Sequence, residues 1–137
     1  MPVFYADSSA LVKLVLAEPE SDALRAFLVG ADIVTSELAL TEIPRAVRRA
    51  AATQPALTPD SLLDRVGELL EAVALRPVDR GLLLGAGALA EPALRALDAI
   101  HVASGIALSP LEAFITYDER QAAVARLAGL RTVTPGI

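Results

Sequence analysis

Four carboxylates stand where a chemical site would need them. Asp7 directly follows the apolar run Val3–Ala6, and Asp118 closely follows a second such run, Ala113–Thr116. If both runs are strands of one parallel sheet, their ends bring the two side chains to the same edge. Asp98 begins a helix in Leu97-Asp98-Ala99-Ile100-His101-Val102-Ala103, and Glu42 lies within a long helix, in Thr41-Glu42-Ile43-Pro44-Arg45-Ala46. Two unit charges about 4 Å apart repel by roughly 4 kcal/mol at an effective dielectric of about 20. Converging carboxylates therefore require protonation, basic partners or a divalent cation between them. The 137-residue chain has a single Lys (Lys13), a single His (His101) and no Cys. A thiolate site, a cluster of histidines and the usual Ser-His-Asp arrangement are thus excluded. Any metal must be held by oxygen, which selects a hard ion such as Mg²⁺ or Mn²⁺.

Each residue also has a plainly structural reading. Asp7, Asp98 and Asp118 precede or open helices, where Asp is a preferred cap and the helix dipole favours negative charge. Gln121, three residues after Asp118, completes a capping-box pattern. On a helical wheel Leu40, Ile43, Val47 and Ala51 share one face, while Glu42, Arg45 and Arg49 fall opposite. That stripe reads as a solvated face with a Glu42–Arg45 pair, or as a grip on phosphate by Arg45, Arg48 and Arg49. His101, one turn after Asp98, reads first as a packed or hydrogen-bonded structural residue and second as a proton carrier. Lys13 sits in an apolar helix, where its stem can snorkel.

The elements that must position these groups follow from periodicity. Strands are predicted at Val3–Ala6, Asp32–Thr35, Leu75–Val78, Ala113–Thr116 and Arg131–Val133. Helices are predicted over Ser8–Leu16, Glu20–Leu28, from a Ser36 cap to about Ala52, Pro59 to about Ala72, Asp79–Ala90, Asp98–Leu108 and Glu119–Ala128. Gln54–Pro59 is the clearest loop. Short apolar strands alternating with helices predict an α/β fold: a central parallel sheet covered on both faces. The length suits one domain over residues 1–137. A hydrophobic fraction of 54% excludes disorder. No stretch reaches the ~20 apolar residues a membrane span needs, and no signal peptide is visible, so a soluble, cytoplasmic protein is expected. Net charge is −5, with a sequence pI of about 4.8, which argues against broad non-specific binding of nucleic acid.

At these residues the chain resembles the PIN-domain ribonucleases, specifically the VapC-type toxins of bacterial toxin–antitoxin pairs. The matching stretches are Tyr5-Ala6-Asp7-Ser8-Ser9-Ala10-Leu11-Val12-Lys13-Leu14, Thr35-Ser36-Glu37-Leu38 with Thr41-Glu42, Leu97-Asp98-Ala99-Ile100-His101-Val102-Ala103, and Ile115-Thr116-Tyr117-Asp118. They stand in the family's order across nearly the whole chain. The resemblance implies a three-layer α/β/α domain that cuts RNA with Mg²⁺ or Mn²⁺. It implies Asp7 and Asp98 as the principal metal ligands, with Glu42 and Asp118 completing the pocket directly or through water. Ser9 and Thr116 match positions where the family often places a small hydroxyl residue, and both also read as turn or cap residues. Arg45 and Arg49 would touch RNA or antitoxin. The implied partners are a cognate VapB-type antitoxin, a second copy of the chain in a homodimer, and the hetero-oligomer that both build.

Three rivals remain. A phosphotransfer receiver would show an acidic pair after the first strand and a late Lys, and neither is present. A haloacid-dehalogenase-like phosphatase would have Asp where Ser9 stands. A catalytically silent PIN-like partner-binding module is the strongest of the three. The presence of all four acids speaks against it, because a retired site would tolerate losing one.

Overall fold

The computed structural model describes all 137 residues, Met1–Ile137. The elements run β1 (Val3–Ala6), α1 (Ser8–Val12), α2 (Ser21–Leu28), β2 (Asp32–Ser36), α3 (Ala39–Thr53), α4 (Pro59–Ala72), β3 (Ala74–Arg76), α5 (Arg80–Gly87), α6 (Ala96–Ala107), β4 (Ala113–Ile115), α7 (Glu119–Leu127) and β5 (Thr132–Val133). Five strands form one sheet in the order β3-β2-β1-β4-β5, and every pairing is parallel. This is the expected α/β architecture. The chain winds outward from β1 through β2 to β3, then crosses back to the other side of β1 for β4. The strand order therefore reverses between β1 and β4, where open α/β sheets place their sites.

Side-chain alternation along the strands divides the core into layers. Phe4, Ala6, Ala113 and Ile115 point to one face and join Leu11, Leu24, Ile43 and Val66 from α1–α4. Tyr5, Val34 and Phe114 point to the other and meet Val102, Val124 and Ala125 from α6 and α7. Helix α5 packs on α6 through Leu82, Ala86, Ala99 and Ala103. No helix is long and apolar enough to cross a membrane.

Helix α1 ends four residues earlier than its apolar pattern predicts. After Val12 the chain tightens into i→i+3 bonds, from Lys13 N to Ala10 O, Leu14 N to Leu11 O and Val15 N to Val12 O. The Lys13 ammonium is tied to Glu18 at 2.7 Å and Glu20 at 2.9 Å, and lies over the Tyr117 ring. It is thus a paired charge, where a snorkelling one was expected. Ser36 caps a turn by accepting from Leu38 N at 3.1 Å, and α3 begins two residues later than its predicted cap would place it.

Gly105 of α6 is fixed by close approach to the sheet. A Cβ there would lie 2.7 Å from Phe114 Cδ2 and 2.8 Å from Cε2. That ring is fully buried and stacked on Tyr5, with centroids 4.9 Å apart. Alanine in a helix interior normally stabilises relative to glycine. Here Gly105→Ala should destabilise by about 1–3 kcal/mol through overpacking, read as a lower urea midpoint. An unchanged or higher midpoint would show that the Phe114 layer yields freely.

Candidate active site

Asp7 leaves β1 at the reversal of strand order and is almost fully buried. Its amide donates to Ile115 O of β4 at 3.1 Å, continuing the sheet. Its Oδ1 accepts from Ala10 N at 2.9 Å, which makes it the N-cap of α1, and from Ser9 Oγ at 2.7 Å. Its Oδ2 accepts from Thr116 Oγ1 at 2.6 Å. Burial raises the Asp7 pKa, against the hydrogen bonds from Thr116, Ser9 and Ala10.

Asp118 is the N-cap of α7, with Oδ1 accepting from Arg120 N at 2.8 Å and Gln121 N at 3.1 Å. Its own amide donates to Thr116 Oγ1 at 3.0 Å, so one hydroxyl links the two aspartates. The capping box is only half formed, because the Gln121 side chain turns away and donates to Asp98 Oδ1 at 2.9 Å. Asp98 is not a cap. Arg95 occupies that position, and Asp98 lies in the first turn of α6.

Glu42 corrects the helical wheel. It is half-buried rather than on a solvated face opposite the core, and it makes no pair with Arg45. Its Oε1 accepts from Ser8 Oγ at 2.8 Å and lies 2.7 Å from His101 Nε2. Burial raises the Glu42 pKa, but the bonds to His101 and Ser8 outweigh it and hold the carboxyl below its usual range. The wheel failed because the buried stripe of α3 is Ala39, Ile43 and Val47, while Leu40 is exposed.

The four acids share one pattern. Each has an oxygen anchored by neutral or imidazole donors of the chain, and Glu42 Oε2, Asp98 Oδ2 and Asp118 Oδ2 accept nothing from it. Asp7 has three of its roughly four lone-pair sites engaged. No Lys or Arg forms an ion pair with any of them. Glu42, Asp98 and Asp118 line one cleft of about 470 Å³ together with Arg95, Ala96 and Leu97. Asp7 is linked to this cleft through Thr116 and Asp118. The acids do not form a closed cage, since no three Asp, Glu or His side chains are grouped closely enough to hold a metal by themselves. Mg²⁺ does not require one: it keeps several waters and binds through one or two carboxylates plus substrate phosphate. The all-oxygen donor set and the absence of a Lys or Arg partner fit such an ion.

Arg45 and Arg49 are exposed on α3 and do not line this cleft. Arg95, which the sequence reading passed over, does line it. Its signal was its position three residues before Asp98, at the start of the same helix.

The model of the family described as PIN domain matches residues 4–127. The chain belongs to the PIN domain family. Within that family it is of the VapC type. It is 36% identical over 140 residues to Ribonuclease VapC47 of Mycobacterium tuberculosis, with 98% of each chain covered. It is 38% identical over 138 residues to Ribonuclease VapC46 of the same species, covering 98% of this chain and 99% of the other. The PIN fold recurs in VapBC2 of Rickettsia felis, solved bound to a DNA fragment from its promoter, at a TM-score of 0.69 and 12% identity over 97% of this chain and 98% of that one. It recurs again in PAE2754 of Pyrobaculum aerophilum, at a TM-score of 0.65 and 18% identity over 96% of this chain and 84% of that one.

Burial of Asp7 in this PIN domain has a thermodynamic consequence. A carboxyl whose folded pKa is raised keeps its proton in the native state while the unfolded chain releases it. Stability therefore falls as pH rises from the unfolded value towards the folded one. In EDTA at pH 7, Asp7→Asn should melt above wild type, with the gap closing towards pH 4. Added Mn²⁺ should raise the wild-type melting temperature only. A variant that melts lower at pH 7 would show that the capping bonds of Asp7 outweigh its desolvation.

Proposed function

We propose that this chain is a metal-dependent endoribonuclease of a type II toxin–antitoxin pair, built as one PIN-type domain over residues 1–137. The observation that carries the reading is the shared pattern of the acids: each clamped through at least one oxygen, and none paired with a Lys or Arg. Similarity to the mycobacterial VapC ribonucleases over nearly the full chain supports the activity. A divalent ion, Mg²⁺ or Mn²⁺, would be held by Asp7 and Asp98, with Glu42 and Asp118 bearing on it directly or through water. Such an ion supplies acidified water and charge compensation for phosphodiester hydrolysis.

The chain's own residues do the rest. Thr116 and Ser9 orient Asp7, Gln121 orients Asp98, and the backbone of α7 orients Asp118. The free oxygens of Glu42 and Asp118 border the cleft residues and are suited to accept a proton from an attacking water. Arg95, on the cleft wall, is placed to meet a phosphate of the RNA. A VapB-type antitoxin is the proposed inhibitor, a homodimer the proposed assembly, and the cytoplasm the proposed place of action. The acidic chain, with a net charge of −5, complements a basic partner.

Purified, antitoxin-free protein should cut a mixed RNA pool with Mg²⁺ or Mn²⁺ and stop in EDTA. Asp98→Asn should reduce cleavage to background, and Gln121→Leu should cost about 10–100-fold as the loss of an orienting contact. Full cleavage in EDTA would sink the metal assignment. Cleavage of no RNA under any metal would favour the silent binding module.

A further inference from the structure

Beyond the four acids, the molecule contains a buried polar chain that the nuclease reading does not require. Tyr5 of β1 points to the α6 side of the sheet and places its hydroxyl 2.7 Å from His101 Nδ1. His101 is only 1% exposed, and its Nε2 lies 2.7 Å from Glu42 Oε1. Ser8 Oγ, after β1, donates to the same oxygen at 2.8 Å. Helix α3 belongs to one face of the sheet and α6 to the other. The His101–Glu42 contact therefore ties both helical layers together over the sheet edge that bears Asp7.

For a neutral imidazole, donor and acceptor counting gives the direction of this chain. An ionised carboxylate only accepts, so the short contact to Glu42 needs the proton on Nε2. A neutral ring with Nε2–H has a bare Nδ1, which must accept, and the Tyr5 hydroxyl is the donor that meets it. Burial pushes the phenol pKa up, so the hydroxyl keeps its proton to give. With Oε1 taken by two donors, Oε2 is the oxygen of Glu42 left for the cleft.

We propose that His101 is a positioning residue, locked by Tyr5 as the neutral Nε2–H tautomer, and that it aims Glu42 for the reaction without touching RNA. This rests on the nuclease reading for what Glu42 does, while the tautomer and the coupling stand on geometry. Because a second ring nitrogen's partner sets which nitrogen is protonated, Tyr5 acts on Glu42 from two residues away in the chain of bonds.

The sole histidine of the chain gives one unambiguous set of ring signals. ¹⁵N-resolved NMR of wild-type protein in EDTA at neutral pH should show a protonated Nε2 and an unprotonated Nδ1, and Tyr5→Phe should shift the Nδ1 signal as it loses its donor. The opposite tautomer, a doubly protonated ring, or an unaltered Tyr5→Phe spectrum would overturn the lock. Two substitutions then separate positioning from packing. His101→Gln keeps a donor near the Nε2 position and should retain most of kcat and Mn²⁺ affinity. His101→Asn places its amide near Nδ1 and should lose about 10–100-fold in kcat, with weaker Mn²⁺ binding and unchanged KM. Equal losses in both variants, tracking their melting temperatures, would reduce His101 to a packing residue. Wild-type protein that cleaves nothing would defeat the nuclease reading alone, and the NMR and Mn²⁺ titrations would still decide the relay.

Discussion

The constraint on which this structure turns is the burial of a carboxylate at the point where the sheet reverses its strand order. Asp7 joins three elements at once: its amide extends the β1–β4 pairing, one oxygen caps α1, and the other takes the Thr116 hydroxyl beyond β4. The bonds to its carboxylate are short and come from neutral donors. Such donors orient a carboxylate and lower the cost of burying it, yet they supply no counter-charge. A Lys or Arg in the same position would have stabilised the fold and cancelled the very property a cation site needs.

The strand alternation explains why a tyrosine and a histidine sit under this edge. Phe4 and Ala6 are committed to the α1–α4 layer, so Tyr5 must face α6 and α7. Its ring stacks on Phe114 and its hydroxyl then reaches the sheet edge, where a buried phenol needs a partner. His101 supplies it. The same imidazole meets Glu42, so the polar end of the core and the acidic cleft are continuous. Gly105, one turn along α6, removes the Cβ that would hold this helix off Phe114.

Much of this was legible in the sequence, where local chemistry dominates. The bounds of β1 were predicted as they stand, and the caps at Asp7 and Asp118 followed from residue type and place. What misled was two-dimensional counting. On α3 the wheel took Leu40 for the core and put Glu42 opposite, but Ala39 is small enough to pack inward and Leu40 is left at the surface. Gln121 matched a capping box by spacing, yet Asp98 from α6 lies within its reach and wins the amide. Helix α1 was carried to Leu16 by its apolar run, whereas the Lys13 contacts with Glu18 and Glu20 belong to a chain that has already tightened and turned. In each case the deciding neighbour is distant in sequence or belongs to another element, and no single-chain periodicity contains it.

The distribution of charge reconciles an acidic protein with a polyanionic substrate. Lys13 is neutralised by Glu18 and Glu20, Arg25 pairs with Asp22, and Arg76 pairs with Asp79, and none of these residues lines the cleft. The cleft keeps three acids and one unpaired Arg95 on its wall. On its own that surface repels phosphate. A divalent ion on Asp7 and Asp98, as proposed, would offset most of that negative charge, and Arg95 would then add to the attraction. Net charge governs long-range encounter, whereas such an ion would govern contact within the Debye length of about 8 Å at physiological salt. An acidic chain is thus compatible with RNA binding confined to the loaded cleft, and it restrains the non-specific association that a basic nuclease surface would invite.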